Sequence, residues 1–394
     1  MQNDRVRVGL ERCVVEPPSM LKDGRWGLLM NQASVDAEFR YASDVLRRRF
    51  PGQLAAIFSP QHGLWCEEQA NMIESGHGRL RRWNLPLYSL YSATRSPTAE
   101  MLDGLDAFVV DLQDVGTRVY TFVWTVSYCL EACARRRIPV IVLDRPNPIG
   151  GEICEGPLLN VDFRSFVGRH TIPMRHGLTL GELALLLNDE MSFGCTVEVV
   201  CMDGWRRHMY FPDTGRAWVA PSPNMPKFET ALFYPGQVLW EGTRISEGRG
   251  TTMPFEVVGA PFVDPDELVE ECGRYGVESV HLRPVRFRPT FDKWQGEICG
   301  GLMLHPRDPR GVRSYHATLA IMAALRRLYP EQFAWLPPPY EYEHTLMPID
   351  IISGGDAVRQ AIDANATSPN EIRALAALDE AAWQRRAGRY WLYE

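Results

Sequence analysis

An α/β fold is predicted, with a doubly wound, mostly parallel sheet followed by a smaller α+β domain. Two observations carry this. Short, nearly continuous apolar runs alternate with helical patterns over the first half of the 394 residues. The polar and unusual residues collect just after those runs. Apolar runs without alternation mark strands buried on both faces. Strand–helix alternation marks right-handed crossovers between parallel strands.

The runs cover residues 26–31, 54–59, 107–112, 139–144 and 196–202. Helices are predicted between them at 34–49, 97–102, 120–136 and 179–189. Thr179 reads as an N-cap, with Glu182 three residues later completing a capping box. After about residue 210 the pattern changes. Residues 212–261 are rich in proline, glycine and aromatic residues and predict a long loop without regular structure, usually a functional one. Beyond it, helices are predicted at 265–275, 312–328 and 369–386, and strands at 279–287 and 298–304. The domain division is set at 1–235 for the sheet, carrying most of the site loops, and 236–394 for the part that closes the cleft.

Composition narrows the function. The net charge is −7 and no basic run is longer than Arg135-Arg136-Arg137, which argues against nucleic acid and anionic membranes as partners. Nine cysteines without a Cys-x-x-Cys pair read as free thiols in a reducing compartment. The polar segment Met1–Glu11 lacks the apolar core of a signal peptide. Cytoplasmic residence is therefore expected, and oligomeric state is left open.

The rim of the sheet is the expected binding place, because open α/β sheets bind ligands beyond the carboxyl ends of their strands. Four loops point there: Asn31-Gln32, Pro60-Gln61-His62-Gly63, Gln113-Asp114 and Arg145-Pro146-Asn147-Pro148. No Gly-x-Gly-x-x-Gly, Walker loop, Gly-x-Ser-x-Gly or His-Glu-x-x-His occurs. A doubly wound sheet without a nucleotide loop suggests a small polar ligand such as a sugar. Glycoside cleavage requires a protonated carboxyl group for the leaving oxygen, and a second carboxylate unless the substrate's own acetamide replaces it. Several candidates also have ordinary structural readings: Asp114 as a cap, Asp144-Arg145 as an ion pair, and His62 and His176 as loop-bridging histidines.

The chain resembles the YbbC/NamZ family of exo-β-N-acetylmuramidases over nearly its whole length. The resemblance rests on Leu87-Tyr88-Ser89-Leu90-Tyr91, on the run from Asp111 to Arg118, and on Leu143-Asp144-Arg145-Pro146-Asn147-Pro148. Glu155-Gly156-Pro157, Met174-Arg175-His176-Gly177, the run from Pro221 to Pro226, Glu241-Gly242-Thr243 and Gly248-Arg249-Gly250-Thr251 continue it. It implies a Rossmann-like first domain, a cleft between two domains, and release of N-acetylmuramic acid from the non-reducing end of peptidoglycan fragments. One position departs. Many members carry Pro-Glu-His-Gly where this chain has Gln61, and an amide has no ionisable proton to donate.

The expected carboxylates at the chemistry are Glu74, the first choice for the acid, Asp114 and Glu241, with His62 beside them. Gln61, Arg118, Tyr120, Arg145, Asn147, His176, Asn224 and Arg249 are the expected binders of hydroxyl, acetamido or lactyl carboxylate groups. An arginine suits the lactyl carboxylate because its planar fork pairs bidentately. No metal and no organic cofactor is expected. The alternatives are a non-catalytic carbohydrate-binding or regulatory protein on the same scaffold, and a glycosidase for a different sugar.

Overall fold

The computed structural model describes residues 5–69, 72–364 and 367–394. The described residues form a sheet of seven strands: β1 (Trp26–Met30), β2 (Leu54–Ser59), β3 (Gly78–Leu80), β4 (Leu85–Ser89), β5 (Ala107–Asp111), β6 (Val140–Leu143) and, after an antiparallel pair β7 (Glu155–Leu158) and β8 (Pro173–Arg175), β9 (Val197–Val200). The order across the sheet is β3-β4-β2-β1-β5-β6-β9. Every pairing is parallel except that of the edge strand β3 with β4. β1, β5 and β6 are buried at every position, which is why their sequences are unbroken apolar runs.

The polar residues at the strand ends have definite partners. Arg145 lies against Asp111, with Nη2 donating to Oδ2 at 2.9 Å and to the Val35 carbonyl at 3.0 Å. The expected Asp144–Arg145 ion pair is thereby corrected. Asp144 instead accepts from the Thr179 hydroxyl, the Gly181 amide and the Tyr393 hydroxyl. It therefore fixes a helix start and the end of the chain to the sheet. Asn31 Nδ2 donates to the Pro221 carbonyl at 2.7 Å and Gln32 Nε2 to the Ala220 carbonyl at 2.8 Å, which anchors the proline-rich loop over the rim. The capping box forms as predicted: Thr179 N–H donates to Glu182, and Glu182 N–H to the Thr179 hydroxyl.

Other expectations are corrected. In place of the helix expected at 97–102 the chain makes turns over residues 99–104, and the helix expected from residue 34 spans only Ala42–Arg49. The chain first doubles back, with a bridge between Val35 and Tyr41. The long loop of 212–261 contains a helix, Phe228–Gln237, whose Pro235 sits near its end, and a strand, β10 (Val257–Ala260). β10 joins β11 (Val280–Phe287) and β12 (Cys299–Pro306) in an antiparallel sheet of order β10-β12-β11. The last predicted helix divides into Pro369–Ala376 and Glu380–Ala387, because Asp379 caps the second with its carboxylate on the Ala382 amide.

The two parts are tied together at depth. Helices Phe228–Gln237 and Ser314–Leu328 meet closely at Gly236, where a Cβ would stand 2.0 Å from the Ser314 carbonyl oxygen. Trp383 donates from its indole to the His176 carbonyl at 2.9 Å. Among the described residues no helix is long and apolar enough to cross a membrane.

Arg145 and Asp111 together make a buried ion pair, and removing one partner of such a pair is strongly destabilising. Arg145→Met is expected to lower the unfolding free energy by about 3–5 kcal/mol, read as a lower urea midpoint. An unchanged midpoint together with weakened ligand binding would return Arg145 to the site.

Candidate active site

A narrow cavity of about 30 Å³ opens beside the carboxyl end of β2. Gln61 and His62 enter it from the loop after that strand. Tyr120 and Thr121 enter from the start of the helix Phe122–Arg136, and Asn224 from the proline-rich loop that Asn31 and Gln32 anchor. Tyr234, Glu241, Arg249 and Phe255 arrive from the formerly expected loop, and Tyr340-Glu341 from a segment that follows Pro337-Pro338-Pro339. Several lining residues hold backbone angles that side chains disfavour: His62 at φ 73°, Phe255 at φ 60° and Glu341 at φ 44°. Each costs of order 1–3 kcal/mol and concentrates where surrounding packing fixes a functional geometry.

Glu341 is the carboxyl group beside Gln61. Its Oε1 accepts from Gln61 Nε2 at 3.2 Å and its Oε2 from the Tyr91 hydroxyl at 2.7 Å. Thr121 donates to Gln61 Oε1 at 2.7 Å. That bond leaves the NH₂ end of the amide for Glu341. Glu341 is only 3% exposed. Burial raises its pKa to about 7, against the lowering effect of the Tyr91 and Gln61 hydrogen bonds, and the nearby charge of Glu241 adds to the rise.

Glu241 sits in a different environment. Its Oε1 accepts from Arg249 Nη2 at 2.6 Å and its Oε2 from the Tyr340 hydroxyl at 2.6 Å. Arg249 Nε also faces Glu247 at 3.2 Å, and Lys293 donates to Glu247 at 2.7 Å. The two acids hold the Arg249 guanidinium charged in spite of its burial. His62 is buried, and desolvation lowers its pKa to about 4. Its Nδ1 lies 2.7 Å from the Glu68 carbonyl. A carbonyl only accepts, so Nδ1 carries the proton and Nε2 the lone pair. The cavity thus offers one carboxyl able to hold a proton at neutral pH, one carboxylate that accepts on both oxygens, and a neutral imidazole acceptor.

Of the residues singled out in the sequence, Gln61, His62, Tyr120, Asn224, Glu241 and Arg249 line this cavity. The others are placed elsewhere. Glu74 is largely exposed and pairs with Arg95 at 3.2 Å, so it is not the carboxyl beside Gln61. Arg118 is fully buried and gives its Nη groups to the carbonyls of Pro157, Ile172 and Ile352. Arg145 is held by Asp111. Asn147 bridges the Leu178 carbonyl and the Ile149 amide. Asp114 accepts from the Gly116 amide at 2.7 Å and lies 3.5 Å from His176 Nε2, while His176 Nδ1 accepts from the Leu178 amide. Gly116 is required there: at φ 80° its Cβ would strike Asn147 Oδ1 at 2.5 Å.

Glu341, Tyr340, Tyr234 and Thr121 are among the lining residues that sequence reasoning missed. A usable signal existed for Glu341, an acid flanked by two tyrosines directly after a proline run. Ala70 and Asn71, a few residues after Gln61, lie outside the described residues. Among the described residues no group of three His, Cys, Asp or Glu side chains is arranged to hold a metal ion.

Comparisons with known proteins bear on this site. Residues 26–229 match the family model for the exo-β-N-acetylmuramidase NamZ N-terminal domain, and residues 232–393 match its C-terminal counterpart. The chain is 40% identical over 368 residues to the peptidoglycan β-N-acetylmuramidase NamZ of Bacillus subtilis, covering 93% of this chain and 86% of that one. A DUF1343 family protein of Bacteroides fragilis superposes with a TM-score of 0.89 at 31% identity over 100% of both chains. A second from the same organism gives 0.74 at 28% over 99% of both. The chain belongs to the NamZ family of exo-β-N-acetylmuramidases.

Proposed function

We propose that this protein is an exo-acting glycosidase that releases terminal N-acetylmuramic acid from the non-reducing end of peptidoglycan fragments, with Glu341 as its general acid. The observation that carries the assignment is the buried Glu341 carboxyl, raised to about 7, in one cavity with Glu241. Glu341 gives its proton to the glycosidic oxygen as the bond from that oxygen to C1 breaks. The substrate's acetamido oxygen forms the new bond to C1. Glu241, an acceptor on both oxygens, receives the acetamido N–H and stabilises the charge that develops there. Glu341, now ionised, takes a proton from the water that adds to C1, which reopens the ring intermediate and restores the acid.

His62 Nε2 and Asn224 are the proposed hydroxyl partners. Arg249 lines the cavity while Arg118 and Arg145 do not, so it is the proposed partner of the lactyl carboxylate. The proposal includes a Rossmann-like, doubly wound reading of the first sheet, supported by the strand order. It also includes the division 1–235 and 236–394, whose boundary falls inside the helix Phe228–Gln237. Cytoplasmic action on small fragments belongs to it too, supported by nine cysteines that are all free thiols.

Glu341→Gln keeps the side-chain shape and removes the proton. Its kcat/KM on the disaccharide N-acetylmuramyl-β-1,4-N-acetylglucosamine is expected to fall by about 10²–10⁴-fold. Retention of most of the activity would exclude Glu341 as the acid. Tight binding without turnover in the unaltered protein would favour the binding-protein reading.

The pH profile follows from the direction of the shift. The acid must hold its proton, so kcat/KM of the native protein is expected to decline as pH rises through about 7. Glu341→Gln is expected to lack that limb. Gln61→Glu places a second carboxyl against Glu341, and two such groups share one proton more readily than both ionise. The alkaline limb of that variant is expected to move to higher pH. A limb left in place would show that Gln61 does not act through Glu341.

A further inference from the structure

Glu341 faces two spaces. Besides the narrow cavity it lines a more open one of about 530 Å³, whose wall includes Tyr128, Phe166, Tyr342 and Arg95. Tyr342 is 42% exposed although aromatic and adjacent to the buried acid. One face of its ring is backed by the Arg95 guanidinium at 3.7 Å, and Arg95 also lies 4.9 Å from the Tyr91 ring centre. Glu74 holds Arg95 from the far side at 3.2 Å. Tyr128 is backed in the same manner by Arg169 at 3.7 Å and stacks with Phe166 at 18°. Such backing orients an aromatic ring before any ligand arrives.

We infer that this open cavity is the leaving-group subsite, and that Tyr342 is the platform for a neutral pyranose ring of the N-acetylglucosamine type. The inference rests on the assignment of Glu341 as the acid. A general acid must reach the glycosidic oxygen, so the ring leaving with that oxygen lies on the acid's side of the scissile bond. A second open cavity, about 450 Å³, borders the narrow one on the Glu241 side. It is lined by Glu241, Glu247, Arg249 and Lys293 together with Phe291 and Tyr340, and Glu341 does not reach it. Of these two open cavities, the Tyr342 side joins its aromatic surface to the proposed proton donor.

The test compares two substrates. N-acetylmuramyl-β-1,4-N-acetylglucosamine fills the subsite, whereas N-acetylmuramyl fluoride has no leaving-group ring. In Tyr342→Ala the ratio of kcat/KM for the disaccharide to that for the fluoride is expected to fall about tenfold, and Tyr342→Phe is expected to restore it. An unchanged ratio in Tyr342→Ala overturns the inference, as does a fall of the ratio in Lys293→Met in its place. Because the ratio is taken within one variant, general damage to folding cancels from it. If the native protein cleaves neither substrate, the hydrolase reading fails on its own. The subsite is then decided by calorimetric titration with N-acetylglucosamine: weaker binding in Tyr342→Ala than in Tyr342→Phe supports it, and equal binding overturns it.

Discussion

The hydrogen bond from the Gln61 amide to Glu341 joins residues 280 positions apart, and the rest of the site is arranged around it. A carboxyl group removed from water keeps its proton unless nearby charges or donors stabilise the anion. Gln61 and Tyr91 supply two donors, and burial outweighs them. The net result is an acid near the middle of the neutral range, where a general acid is most effective. An amide suits this position because it adds a donor without adding a competing negative charge. The Gln61 departure, which on the sequence alone reads as the loss of an acid, is consistent with an acid supplied from the other end of the chain.

Holding that bond requires that the C-terminal part be fixed against the sheet to within a fraction of an ångström. Arg118 does part of this. It is a fully buried cation, which desolvation lowers to a pKa of about 10, so it remains charged at neutral pH. Its carbonyl partners come from the chain around β7 and β8 and from the last turn of the helix Pro348–Ser353, where a cation is also favoured by the helix dipole. That helix follows shortly after Glu341. The close approach at Gly236 and the anchoring of Trp383 and Tyr393 on the sheet act in the same direction. The disfavoured backbone at His62, Glu341 and Tyr342 persists because these contacts over-determine it.

The buried parallel strands were legible because burial on both faces writes itself as unbroken apolar sequence. β3 and β4 were not, since they lie at an edge and are largely half-buried or exposed. The rim loops were legible as places and only partly as roles. Arg118, Arg145, Asn147 and His176 look from sequence like ligand-binding residues beyond strand ends. Their partners are backbone groups and an aspartate brought near by the fold, and no local pattern specifies those. The helix Phe228–Gln237 was hidden by a terminal proline that the helix tolerates. Glu341 was hidden by distance, because its environment is made by Gln61 and Tyr91 and its own neighbours reveal only that the segment is rigid.

The two carboxyl groups of the cavity illustrate why position alone cannot assign roles. Glu241 and Glu341 have the same chemistry in water. In the fold, Glu241 meets a guanidinium and a phenol, and both its oxygens accept. Glu341 meets an amide and a phenol, and the charge of Arg95 is the weakest of the influences on it. A directly bonded cation favours the anion, whereas burial without one favours the acid. Two acids given such different partners suit the different roles proposed for them. The charge of Glu241 then raises Glu341 further, so the acceptor helps to keep the donor protonated. A substrate acetamide that engages Glu241 would draw on that charge and weaken its effect on Glu341, easing proton release as the glycosidic bond is drawn into place.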